Sequence, residues 1–262
     1  MLSVALFVAS AVLAAPAPLQ LTSPFGLVVE AGGTLLVADG SSGRILRIDP
    51  HTGRRSVYAA GLGTVYDLQY GPGGLYASTA TQVVRFSGRG KREIVARGLH
   101  DPVGLAVAPH GTIYVAEEQT NRVIRFAPGT RARTVIAAVG LDQPLGLALR
   151  TDGSLLVVDS HHGRIVRLLD DGTLEPVLEG LTLPVNVTAA PGNAVYVVDH
   201  VEHGRPGKIV RLGASGTTTV ISRGKIRSLS GLAVGRGGAL YATSFEAPFV
   251  GRLTAAGALR PF

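Results

Sequence analysis

The sequence contains no cysteine, which excludes disulfides, a thiolate nucleophile, cysteine-ligated zinc and a lipid-modified N-terminal cysteine. Charged residues are scarce at 16%, while hydrophobic residues reach 46%; that balance excludes a disordered chain. After the first 18 residues no stretch resembles a transmembrane helix. No Gly-x-Ser-x-Gly elbow, P-loop or dinucleotide fingerprint occurs. The basic residues outnumber the acidic ones for a net charge of +7, yet they form no contiguous block. Many of the arginines recur at one position per repeat, so their expected role is architectural, and nucleic acid is not the expected partner.

The opening residues, Met1 to Pro18, combine an apolar stretch with small residues around Ala14 to Ala17 and then prolines. They read as a signal peptide over residues 1–17, although no Lys or Arg precedes the apolar stretch. An uncleaved N-terminal anchor is the alternative. The remainder, 18–262, is expected to form one domain in a secreted or periplasmic protein, as a monomer.

That remainder is built from repeats. The clearest unit runs Pro102-Val-Gly-Leu-Ala-Val, then Gly111-Thr-Ile-Tyr-Val-Ala-Glu117, then Asn121-Arg-Val-Ile-Arg-Phe126. It returns as Pro144-Leu-Gly-Leu-Ala-Leu with Leu155-Leu-Val-Val-Asp159 and Gly163-Arg-Ile-Val-Arg-Leu168. An earlier copy reads Pro24-Phe-Gly-Leu-Val-Val with Leu36-Val-Ala-Asp39 and Gly43-Arg-Ile-Leu-Arg-Ile48, and weaker copies begin at Val65, Pro184 and Leu229. Positions 26, 67, 104, 146, 186 and 231 are equivalent and recur about every 40 residues, the spacing of four-stranded propeller blades. The expected fold is therefore an all-β, six-bladed propeller with four antiparallel strands per blade. Leu259-Arg-Pro-Phe262 is in register with Leu174-Glu-Pro-Val177, and Leu19-Gln-Leu-Thr22 with Glu179-Gly-Leu-Thr182. This predicts a ring closed by N- and C-terminal strands that share one blade.

The motif resembles the NHL-repeat six-bladed propellers and, more distantly, the senescence-marker/gluconolactonase and lyase propellers. Peptide-amidating lyases of related fold place zinc-binding histidines just after the repeat proline. The corresponding residues here are Phe25, Tyr66, Val103, Leu145, Val185 and Ser230, so that zinc set is not carried over. Gluconolactonase-like enzymes use a Glu at the first blade with an Asn and an Asp. Asn186 and Asp67 match the latter two, while Ser23-Pro-Phe-Gly26 supplies no Glu.

Internal repetition separates scaffold from site. Asp39, Glu117, Asp159 and Asp199 close the second strands, and Arg47, Arg85, Arg125, Arg167, Arg211 and Arg252 recur in the third. A structural pairing between these two sets, pinning the intervening loop, is expected. Departures from the repeat are the site candidates. Asp67 and Asn186 replace the recurrent Gly at the start of the innermost strand, and Tyr66 precedes Asp67. The second-to-third-strand loops, expected on the same face, carry Glu118, His161, His162, His200, His203 and Glu246. These nine residues are the expected ligand-facing set, for a protein, peptide, glycan or small molecule. No cofactor is required by that reading. The alternative is a lactonase-like hydrolase or lyase in which Asp67, Asn186 and a loop His or Glu hold a divalent cation.

Overall fold

The computed structural model describes residues 19–88, 91–130, 132–200, 206–222 and 228–262. Six four-stranded antiparallel sheets follow one another along the chain, at 24–59, 65–97, 102–137, 144–178, 183–220 and 229–261. Each is one repeat, and together they form the six-bladed propeller that the spacing predicts. Among the described residues helix is limited to short 3-10 turns such as Gly40–Ser42. Among the described residues no helix is long and apolar enough to cross a membrane.

The innermost strands, Pro24–Val29, Val65–Gly71, Pro102–Val107, Pro144–Leu149, Leu183–Ala189 and Leu229–Val234, pack side by side around the ring. Apolar clusters fill the space between adjacent blades. One joins Ala106, Val123 and Ile136 of the third blade to Leu147, Val157 and Val166 of the fourth. Each fully buried Leu, Val or Ile contributes about 1.5–3 kcal/mol relative to its exposed state, so the blade-to-blade contacts hold the ring. Close approach near the axis explains the recurrent glycine. A Cβ at Gly104 would lie 1.9 Å from the Leu145 carbonyl oxygen, and one at Gly231 would lie 2.2 Å from that of Phe25.

The recurrent carboxylates are clasps. Asp39, Glu117, Asp159 and Asp199 are fully buried, and each accepts a backbone N–H from the segment leading into its own blade. The donors are Thr22 at 2.7 Å, His100 at 2.9 Å, Asp142 at 2.8 Å and Thr182 at 2.9 Å. Burial alone would raise the Asp39 pKa. Hydrogen bonds from Ser42, Ser23, Thr22 and Arg44 outweigh it and lower the value to about 2.

Two expectations need correction. The cationic partners of the clasps are Arg44, Arg122, Arg164 and Lys208 at the start of the third strand, not the Arg47 series. Arg44 pairs directly across from Asp39 in the hairpin. Arg47 lies three residues on, so strand alternation sends it to the opposite face, where it meets Glu30. Arg85, Arg125 and Arg167 likewise pair with Glu93, Asp170 and Glu175.

Nor do the chain ends share a blade. The sixth sheet supplies its own outer strand, Leu259–Pro261, so it has no vacancy for an N-terminal strand. Residues 19–23 run as an arm instead: Leu21 is buried and the N–H groups of Thr22 and Ser23 bind Asp39. Closure comes from side chains. Leu27, Leu35 and Val37 pack with Ala233, Tyr241 and Val250. Ser230 Oγ donates to the Pro24 carbonyl at 2.8 Å, and Thr243 Oγ1 donates to that of Phe25. Arg55 reaches the carbonyl oxygens of both Leu19 and Phe262.

Gly104→Ala should destabilise the fold by about 1–3 kcal/mol through overpacking, read as a fall in Tm of about 2–4 °C per kcal/mol. An unchanged Tm would contradict the packing described at the axis.

Candidate functional site

At one end of the axis the inner strands surround a cavity of about 370 Å³. Its lining follows from a backbone irregularity repeated in every blade. Pro24 pairs with Asp39 and Leu27 with Val37, so Phe25 and Gly26 stand opposite Ala38 alone. Tyr66 and Asp67 oppose Ser78 in the same way, and Val103 and Val185 are single extra residues. Bulges of this kind re-aim side chains. Here they present to the cavity the residue after the repeat proline, or after Val65 and Leu229 in its place: Phe25, Tyr66, Val103, Leu145, Val185 and Ser230 all line it, one from each blade.

A second ring comes from the residue just after the clasp position. Glu118, His200 and Phe245 line the cavity from the third, fifth and sixth blades. Their equivalents in the first and fourth blades are Gly40 and Ser160. Gly40 is small by necessity, because a Cβ there would lie 2.3 Å from the Phe25 ring.

Of the nine candidates, Tyr66, Asp67, Glu118, Asn186 and His200 are brought together in the lining. His161 and His162 are not part of it. His161 Nδ1 lies 3.4 Å from Asp142, and His162 Nδ1 lies 2.9 Å from the clasp Asp159. Glu246 is exposed beside Phe245, outside the lining, and His203 lies outside the described residues. Phe25, Val103, Leu145, Val185, Ser230 and Phe245 were not among the candidates. Their signal was available, since each occupies one of the two positions per repeat that the bulge and the clasp define.

The cavity is chemically lopsided. His200, Phe245, Phe25 and Tyr66 form an arc of rings, with centroids 6.3, 5.9 and 6.1 Å apart in succession. Val103, Leu145 and Val185 make up the aliphatic remainder. Tyr66 donates to Asp101 at 2.9 Å, and burial together with that bond pushes its pKa up to about 12, so it is a neutral phenol. Glu118 accepts from Gln143 at 2.7 Å. The buried Nδ1 of His200 has no hydrogen-bond partner among the described residues.

Asp67 is 7% exposed. Its Oδ1 accepts from Leu68 N at 2.8 Å and its Oδ2 from Leu105 N at 3.1 Å, while its own N–H donates to Ser78 Oγ. Burial raises its pKa to about 7, against the lowering effect of the two backbone bonds. Gly26 makes room for it, since a Cβ there would lie 2.5 Å from Asp67 Oδ1. Asp67 and Asn186, the two positions shared with the gluconolactonase pattern, both line the cavity, and among the described residues no three His, Asp or Glu side chains are grouped to hold a cation.

No protein-family model and no curated protein sequence matches this chain. Solved structures do match in fold. A catalytically inactive virginiamycin B lyase from Staphylococcus aureus, solved with quinupristin, aligns over 93% of this chain and 85% of its own, with TM-score 0.68 and 22% identity. A gluconolactonase from Xanthomonas campestris aligns over 86% and 84%, with TM-score 0.72 and 19% identity. An auxiliary nutrient binding protein from Bacteroides thetaiotaomicron aligns over 85% and 67%, with TM-score 0.69 and 13% identity. At these identities the likeness is one of fold, a six-bladed propeller that carries both enzymes and binding proteins.

The raised Asp67 pKa fixes a sign for stability against pH. In the unfolded chain Asp67 ionises near pH 4, while the folded protein holds its proton until about pH 7. Its contribution is therefore complete below pH 4 and is lost as pH rises towards 7. Asp67→Asn should flatten that decline, by an amount on the order of 4 kcal/mol at most, measured by denaturant unfolding at pH 4 and pH 8. Parallel pH slopes for the two proteins would place Asp67 in a wetter site than the structure gives it.

Proposed function

We propose that this protein is an extracytoplasmic ligand-binding propeller whose axial cavity takes a small molecule, or one side chain of a peptide, with a ring-sized apolar body. The observation that carries this reading is the convergence of one bulged residue from every blade on a single largely apolar cavity. A volume of about 370 Å³ lies within the range of small-ligand sites, which are mostly apolar with a few placed polar groups. Asp67, Asn186, Glu118 and His200 are those polar groups here.

A panel of single-ring compounds, followed by ligand-observed NMR, tests the reading. Some should bind, and Leu145→Trp, which fills the cavity, should weaken them at least roughly tenfold, about 1.4 kcal/mol, with the protein still folded. Binding that is indifferent to Leu145→Trp would move the site elsewhere. The extracytoplasmic part is tested by expressing the full chain in a bacterial host with a secretory pathway. Intact mass should show an exported form that starts close to residue 18, and a cytoplasmic product that keeps Met1 would overturn it.

A hydrolase or lyase reading has one specific foothold: a buried carboxyl that titrates near neutrality inside a cavity is suited to move a proton. In that case Asp67→Asn abolishes turnover of a lactone panel while the folded variant still binds ring compounds.

A further inference from the structure

Eight carboxylates away from the cavity meet an Arg or a Lys: Asp39, Glu117, Asp159 and Asp199 in the clasps, and Glu30, Glu93, Asp170 and Glu175 elsewhere on the blades. The acids at the cavity do not. Asp67 and Glu118 line it, and Asp101 stands directly behind Tyr66. They accept from backbone N–H groups, two glutamine amides and a phenol, none of them cationic. Among the described residues no Lys or Arg lines the cavity, in a chain with 25 of them and a net charge of +7.

The same cavity holds the aromatic arc of Phe25, Tyr66, Phe245 and His200. Ring faces attract cations through their quadrupoles, and a partly dry site strengthens the attraction. A quaternary ammonium group is the ligand head that gains from both features at once, because rings replace its weak hydration shell while the Glu118 carboxylate balances its charge. Among the described lining residues a carboxylate or phosphate ligand would meet Glu118 with no Lys or Arg to offset it, and a wholly neutral one would leave that acid unused.

We infer that the cavity binds an organic cation, an ammonium group on a small apolar or aryl body, caged by Phe25, Phe245 and Tyr66 and balanced by Glu118. This rests on the ligand-binding reading above and narrows it to a ligand class.

The test compares phenyltrimethylammonium with tert-butylbenzene, its uncharged isostere, and with benzoate, by NMR titration of the protein spanning residues 18–262 at low salt. The cation should bind roughly tenfold more tightly than the isostere. Glu118→Gln and, separately, Phe245→Leu should each remove most of that preference, with an unchanged Tm and a dispersed NMR spectrum showing that each variant is folded. Equal affinity for cation and isostere would overturn the inference and leave the ligand-binding reading standing. Tighter binding of benzoate would also overturn it and assign an anion instead. Absence of binding by all three would remove both the inference and the reading beneath it.

Discussion

Four of the six blades depend on a buried carboxylate that holds the start of its own blade. In four blades an Asp or Glu at the end of the second strand takes a backbone N–H from the incoming segment and a side-chain cation from the third strand. A buried charge with a single partner would be costly; two kinds of donor make it tolerable. The clasp fixes where the proline of the innermost strand sits, since that proline pairs with the clasp residue itself. Just beyond that pair the chain bulges, and the bulge aims the following residue at the axis. Scaffold and site are thus set by adjacent residues.

The second and sixth blades do without the carboxylate. Thr79 and Ser244 occupy its place, opposite Val65 and Leu229 rather than a proline. Both blades keep the bulge, and a hydroxyl one residue earlier supports it: Ser78 accepts from Asp67 N and Thr243 from Gly231 N. The cavity residue Asp67 therefore stands where the chain has exchanged an ionic brace for a hydroxyl one.

Much of the fold was legible because a propeller blade is a local object. Its four strands are consecutive, so a repeat of about 40 residues encodes a complete sheet. What the repeat could not express was the relation between non-neighbours in sequence. The register of Leu259 with Leu174 and of Leu19 with Glu179 is real, but it carries no information on whether a blade is already full. The arginine assignment failed for a simpler reason. Arg44 and Arg47 both recur, and only the period of two along a strand distinguishes the one opposite Asp39. In the site, Tyr66, Asp67 and Asn186 stood out because they break the repeat. Phe25, Val103 and Leu145 did not, because apolar residues after a proline look like ordinary core until the bulge turns them inward. Glu246 falls one place beyond Phe245, which lines the cavity, and His161 and His162 fall one and two places beyond Ser160, its equivalent in the fourth blade.

Closure by side chains rather than by a shared strand has a topological consequence. Every blade is whole, and one guanidinium, that of Arg55, touches the backbone at both Leu19 and Phe262. The ring accordingly has no seam of a different kind from its other blade boundaries. A short peptide joining residues 19 and 262 would give a continuous loop, and a cut in any one of the segments between blades would leave six intact sheets in the same circular order. Which blade comes first in the chain is, for this architecture, a matter of history and not of mechanics.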